Sequence, residues 1–255
     1  MATRSDATSI DLPSGLLRST SRNHSTATGS DDDLAAPPRN AGDLRQLAIL
    51  FADVVGSTAL STHIPPETYF VLVRRYRQLV TQAVTLLEGR IISVKGDGLL
   101  AVFGHPHAHE DDALRAVAAG LAITDQVARL GADALRRLGV GIDVRVGVSF
   151  GVVYLDTAED DVYGFPANLA ARLCALAPPG AVVVSDAVEP HIRDAFEVRA
   201  RRTAPVRGVE GAVAHYAVSG LTTGHRSSSP AGHRFCSGTG SICSASGRSN
   251  PNICA

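Results

Sequence analysis

Lysine is almost absent from this chain: Lys95 is the only one in 255 residues, and arginine carries nearly all the positive charge. Excess charge of either sign is also missing, the formal net charge being −1. That excludes the broad basic field on which nucleic-acid binding draws, and the polybasic cluster that holds a protein to an anionic membrane. No apolar run approaches the roughly 20 residues needed to span a bilayer. The opening MATRSDATSIDLPSG has no apolar stretch of the kind a signal peptide needs. These absences predict a cytoplasmic protein that engages neither nucleic acid nor membrane. Cysteine is scarce as well. Of four, only Cys174 lies in foldable sequence; Cys236, Cys243 and Cys254 sit in a Ser/Gly-rich stretch with no zinc-ligand spacing. In a reducing compartment all four read as free thiols.

What is present is concentrated between residues 43 and 220. Residues 1–42 are rich in Ser, Thr, Asp and Pro, and 221–255 in Ser and Gly, so both are expected to be disordered tails. Between them, strand and helix patterns alternate. LAILFADV is a short apolar run ending in acid, a buried strand. Pro65 and Pro66 open a helix with Phe70, Val73, Tyr76, Val80, Ala83 and Leu87 on its apolar face, closed by Gly89. RIISV (90–94) and LLAVF (99–103) flank Lys95-Gly96-Asp97-Gly98 as a hairpin. A second helix begins near Asp112, with Leu114, Val117, Ala118 and Leu121 on one face. Residues 131–142 offer no clear pattern. VRVGVSFGVVYL (144–155) reads as two strands broken at Gly147 and Gly151. A helix from Pro166 to about Ala175 and strands at AVVVS (181–185) and HYAVS (215–219) complete the pattern. The whole predicts an α+β sandwich with helices over one face of a mainly antiparallel sheet.

Three short segments carry chemistry. In LFADVVGST (50–58), Asp53 ends a strand, and the turn at Gly56, Ser57 and Thr58 exposes backbone N–H groups suited to a phosphate. Asp53 there can hold a hard divalent cation, or it can serve as a helix N-cap; the residues alone leave both open. In KGDGLLAVFG (95–104), Asp97 occupies a turn where Asp and Gly are ordinary residues. It gains meaning if the hairpin lies beside the first strand, because two adjacent carboxylates are costly without a cation. In DVYGFPANLAARL (161–173), Asn168 and Arg172 are one helical turn apart and project together. Such an Arg can hold a phosphoryl group by two parallel N–H bonds. Asp161 lies in an acid-rich loop, where solvation is the default. Phe51, Tyr163 and Cys174 read as packing residues. The His105, His107, His109, Glu110, Asp111, Asp112 run reads as an exposed loop with acids at a helix start rather than as a metal site.

Taken together, FADVVGST, GDGLLAVFG, RVGVSFG and DVYGFPANLAARL resemble, in order and spacing, the catalytic domain of class III adenylyl/guanylyl cyclases. The resemblance covers about residues 46–219 and implies a ferredoxin-like nucleotidyl cyclase sandwich. It further implies that Asp53, Asp97 and the carbonyl of Val54 bind two Mg²⁺ or Mn²⁺ ions per site. Asn168 would orient the ribose, and Arg172 would stabilise charge at phosphorus. Asp161 would read the purine, favouring ATP over GTP because a carboxylate accepts from the adenine amine. The site would be shared between two copies in a homodimer, turning ATP into 3′,5′-cyclic AMP and pyrophosphate. One position departs from the pattern: Ser93 stands where the family has an adenine-contacting Lys, with Lys95 two residues on. The departure keeps a nucleotide-binding module without turnover in view as the alternative; a guanylyl cyclase is a third reading, disfavoured by Asp161.

Overall fold

The computed structural model describes residues 42–159, 161–206 and 208–222. All described residues belong to one compact unit. The expectations for the two tails and for Cys236, Cys243 and Cys254 lie outside the described residues.

The elements run β1 (Gly42–Val54), α1 (Ser57–His63), α2 (Pro66–Leu86), β2 (Arg90–Lys95), β3 (Gly98–Phe103), α3 (Asp112–Leu138) and β4 (Val144–Asp156). After them come β5 (Asp161–Tyr163), α4 (Phe165–Leu176), β6 (Val182–Ser185), α5 (Glu189–Ile192), β7 (Phe196–Val198), β8 (Arg202–Pro205) and β9 (Ala212–Leu221). The sheet order is β2-β3-β1-β4-β6-β9-β7, with β5 on β4 and β8 on β9. Among the described pairs only β4–β6 is parallel. The fold is therefore the α+β arrangement the pattern predicts. Among the described residues no helix is long and apolar enough to cross a membrane.

β1 reads as an unbroken apolar run because both of its faces are covered. Ala48, Leu50, Ala52 and Val54 face α2 and α3 in the main core. Leu47 and Ile49, with Phe51 partly buried beside them, face the other way, where Ala167 and Ala170 of α4 pack. The helices thus do not all share one face of the sheet, although the sequence pattern predicts that they do; α4 lies opposite α2 and α3. Glycine makes room for it. A Cβ on Gly147 would stand 2.2 Å from the Ala170 carbonyl oxygen, and one on Gly151 2.8 Å from Pro166 Cγ. Those glycines therefore mark close approach of a helix rather than strand breaks. β4 is one strand, paired with β1 without interruption from Val144 to Asp156.

Other departures have similarly local causes. Residues 131–138 continue α3 instead of forming a loop, and the helix stops at Gly139 in the left-handed region. Gly131 sits inside that helix because the returning chain passes against it, the Ile142 carbonyl oxygen lying 2.3 Å from where a Cβ would be. On α2, Phe70 is 62% exposed. It lies six residues before the buried Tyr76, about 120° round the helix, so the stripe passes through Leu72 and Val84 instead. Tyr163 is 53% exposed rather than packed. Asp161 belongs to β5, opposite Asp156, rather than to a loop. In the His-rich run, Asp112 is buried at the start of α3 and accepts the His109 backbone N–H at 2.8 Å. His107 and His109 are exposed in the loop before α3, as the pattern predicts, with His109 Nε2 3.4 Å from Glu88.

Candidate active site

The end of β1 brings the first two segments together. Asp53 is the second-last residue of β1, with β3 on one side and β4 on the other. The β2–β3 turn carries Gly96 with φ 66° and then Asp97. The Arg77 guanidinium, from α2, donates to the Gly96 carbonyl and braces this turn. Asp97 is thereby placed against Asp53 closely enough for their carboxyls to interact. Burial pushes the Asp53 carboxyl above its ordinary value, the Arg145 hydrogen bond opposes that, and the Asp97 charge adds to it.

Two features decide what the pair can hold. Asp97 Oδ2 is buried with no hydrogen-bond partner. Such an orphaned oxygen beside a second carboxylate is costly unless a cation fills the gap. Among the described residues no three His, Cys, Asp or Glu side chains converge. A cation here must take its remaining oxygens from backbone, water or a bound phosphate, the ligand set that suits Mg²⁺. The donors present therefore fit a divalent ion. The helix-cap alternative for Asp53 fails, since the N-cap of α1 is Gly56 with no side-chain cap, and Asp53 Oδ2 instead accepts from Arg145 Nη2 at 3.0 Å. Val54 buries its side chain in the main core, which leaves only its backbone for any ligand. At the following turn Gly56 has φ 64°. The first free N–H groups of α1 therefore come from Ser57 and Thr58.

The third segment faces elsewhere. α4 packs Ala170 and Cys174 against Gly147. Asn168 and Arg172 are each two residues from those buried positions, about 160–200° round the helix, and both are exposed. They point away from the sheet that carries their own Asp53. Asp161 lies on β5, which packs near β2. Its partner Asp156 lies opposite Gly42, at the far end of β1 from Asp53. Gly42 and Asp53 are eleven positions apart along β1. Ser93 and Lys95, by contrast, stand opposite Leu100 and Gly98 on the side where Asp53 lies. A register irregularity at Ile92 immediately precedes Ser93. One copy thus brings Asp53, Asp97, Val54 and the Gly56–Thr58 turn to one end of β1, while Asn168 and Arg172 face outward; β2, which carries Ser93 and Lys95, contacts β5, which carries Asp161.

The family profile described as "Adenylate and Guanylate cyclase catalytic domain" matches residues 40–220. The chain belongs to this family. Among solved structures, the cyclase is similar to the adenylyl cyclase CyaB of P. aeruginosa, with TM-score 0.66 and 23% identity over 70% of this chain and 95% of that one. It is also similar to the guanylyl cyclase Cya2, with TM-score 0.67 and 27% identity over 73% and 98% of the two chains. Curated relatives include "Uncharacterized protein Rv1320c" of Mycobacterium tuberculosis, 35% identical over 142 residues, or 55% of this chain. Another is "Putative adenylate cyclase 3" of Rhizobium meliloti, 30% identical over 154 residues, or 60% of this chain. In each case the matched segment is 24% of the relative's length.

Three residues of the cyclase site escaped sequence reasoning. Arg145 opens the RVGVSFG motif but reads there as ordinary strand; its tie to Asp53 spans 92 positions. Arg77 looks like one more solvated arginine on α2. Tyr76 looks like core, yet its buried hydroxyl has no partner, and burial followed by the charge of Asp53 raises its pKa. Cys174 lies under the same site, its thiol 3.2 Å from the Arg145 carbonyl oxygen. Burial, and then the Asp53 charge, pushes it up to about 12. With the other three cysteines changed to Ser, folded protein is expected to resist iodoacetamide at about pH 8 and to label fully once unfolded, since only thiolate reacts. Mass spectrometry of the alkylated protein checks this.

Proposed function

We propose that this cyclase converts ATP to 3′,5′-cyclic AMP and pyrophosphate at sites shared between two copies of the chain. The observation that carries the reading is a division of labour within one copy. The acid pair, with its unpartnered oxygen, closes one end of β1, while Asn168 and Arg172 face outward on α4 with nothing of their own site in front of them. Two such halves complete one another across a two-fold axis. Divalent ions held by Asp53, Asp97 and the Val54 carbonyl would acidify the ribose 3′-hydroxyl and neutralise triphosphate charge.

The chain's own residues do the rest. Backbone N–H groups at Ser57 and Thr58 cradle the phosphates beside Gly56. Asn168 from the other copy orients the ribose so that the 3′-oxygen lies in line with the α-phosphorus. As that oxygen bonds to phosphorus, the bond to the β-phosphate oxygen breaks and pyrophosphate departs. Arg172 stabilises the charge that builds on the non-bridging oxygens. Asp161, from the copy that supplies Asn168 and Arg172, accepts from the adenine amine, and Ser93 or Lys95 completes the base contact. The similarity to the Rhizobium protein supports adenylate, and that to Cya2 supports a cyclase core of either specificity.

Incubating purified protein with Mn²⁺ and ATP, then with GTP, and identifying the products by mass spectrometry tests the reading. Cyclic AMP that disappears in Asp53→Ala supports it. A guanylyl cyclase, which Asp161 disfavours, would be established by predominant cyclic GMP. Dimeric, folded protein yielding neither product would make the chain a binding module. Mixing Asp53→Ala with Arg172→Ala protein should restore activity to about a quarter of wild type, because random pairing gives half heterodimers with one intact site each. No recovery on mixing refutes the shared site. We also assign the catalytic domain to residues 43–220. Protein trimmed of 1–42 and 221–255 should still unfold in one cooperative transition by calorimetry.

A further inference from the structure

One buried polar group beside the acid pair has no task in the proposed reaction: the hydroxyl of Tyr76. The side chain is fully buried, on the core stripe of α2 between Leu72 and Val80. Its hydroxyl has no hydrogen-bond partner. A phenylalanine would fill the same ring space and strand no polar atom, so the hydroxyl costs stability unless something engages it.

Its surroundings supply the candidate. The next residue of α2, Arg77, donates to the carbonyl of Gly96, immediately before Asp97, so this part of the helix lies against the turn that carries the acid. Tyr76 belongs to the same buried cluster as Val54 and Leu99, which adjoin Asp53 and Asp97 along their strands. Burial first, then the charges of Asp53, Cys174 and Asp97, keep the proton on the hydroxyl, which makes it a hydrogen-bond donor. Asp53 Oδ2 already accepts from Arg145, whereas Asp97 Oδ2 is buried and accepts from nothing. A buried donor and a buried acceptor thus stand unpaired at one place. We propose that Tyr76 is a positioning residue for the cation site, its hydroxyl donating to the Asp97 carboxylate when a divalent ion occupies the acid pair. A carboxylate has two oxygens, so one can take the hydroxyl while the other serves the ion. Donors placed behind a ligand in this way fix its orientation and strengthen its hold on the metal. The inference rests on the acid pair being a cation site, as proposed above, and adds the residue of α2 that orients it. Tyr76 acts through Asp97 and not on substrate.

Tyr76→Phe removes the oxygen and keeps the ring, and it should move stability and metal affinity in opposite directions. Metal-free Tyr76→Phe should melt at or above the wild-type temperature, because a stranded buried hydroxyl is gone. Its Mn²⁺ affinity, read by electron paramagnetic resonance of free Mn²⁺ without nucleotide, should fall about tenfold. A hydroxyl that serves only the fold would give lower melting and unchanged affinity, and that result overturns the inference. Weaker binding together with lower metal-free melting marks damage to the fold and overturns it too. If the variant does not fold, wild-type Tyr76 decides. Its ring ¹³Cζ resonance, assigned in protein whose four other tyrosines are changed to Phe, should move downfield during a Mg²⁺ titration with the same midpoint as thermal stabilisation. A resonance that stays in place at saturating Mg²⁺ refutes the assignment. Wild-type protein that binds no Mn²⁺, with Asp97→Asn behaving identically, would sink the cation site itself and the inference with it. Binding that Asp97→Asn abolishes and Tyr76→Phe leaves intact sinks the inference alone.

Discussion

Asp97→Asn is expected to cut cyclic nucleotide formation by at least about a thousandfold while making the metal-free protein more stable. The first half follows from chemistry. Cation-assisted displacement at phosphorus depends on both carboxylates, and losing several kcal/mol of charge stabilisation amounts to that factor. The second half follows from the geometry of the empty pair. Asp97 Oδ2 has no partner, and Asp53 beside it is already pushed toward its neutral form by burial and by the Asp97 charge. An amide at 97 removes the like charge and offers a donor to Asp53, a gain of about 1 kcal/mol. For a domain of this size that is a rise of roughly 2–4 °C. Melting curves with and without Mn²⁺ check it: the variant should lie above wild type without metal and fall behind once Mn²⁺ stabilises wild type alone. A variant that loses stability instead would mean that Asp97 serves the fold and not a cation.

Gly147→Ala should be among the most damaging single-methyl changes at the described glycines. The added Cβ would stand 2.2 Å from the Ala170 carbonyl oxygen and 2.3 Å from the Cys174 backbone nitrogen. Neither obstacle is a side chain that can swing aside, so α4 must lift off β4. Overpacking of this kind costs about 3 kcal/mol, or close to 10 °C of melting temperature. The chemistry suffers as well, since α4 carries Asn168 and Arg172; an ångström of displacement costs about a hundredfold in turnover. Mn²⁺ affinity, set by β1 and the β2–β3 turn, should stay near wild type. Gly151→Ala is the control, because its Cβ meets only Pro166 Cγ, at 2.8 Å. Equal effects of the two substitutions would contradict the account of why these positions are glycine.

The same two glycines explain where sequence reasoning failed. Within a strand pattern, glycine signals either a break or a close approach, and the local sequence is identical for both. What separates them is a helix that begins at Phe165, far outside any local window. Phe70 misled for a simpler reason: a three-and-four rhythm tolerates several stripes, and only packing against α3 and the sheet selects the one through Leu72 and Val84. The Gly131 stretch read as loop because glycine is a poor helix former, but the chain folding back at Ile142 needs it there.

The candidate residues divide along the same line. Asp53, Asp97, Asn168 and Arg172 were legible as candidates because each sits in a short motif whose residue types match a chemical task. Composition, strand and helix alternation, and those motifs are local properties, so the amino-acid order was enough to determine the α+β class and the family. Tertiary structure decided the rest: that Asp53 and Asp97 meet, that an oxygen there is left bare, that Arg145 reaches Asp53 across 92 positions, and that Asn168 and Arg172 turn outward. Each of these depends on strand register and helix rotation, which long-range packing sets and no local pattern encodes.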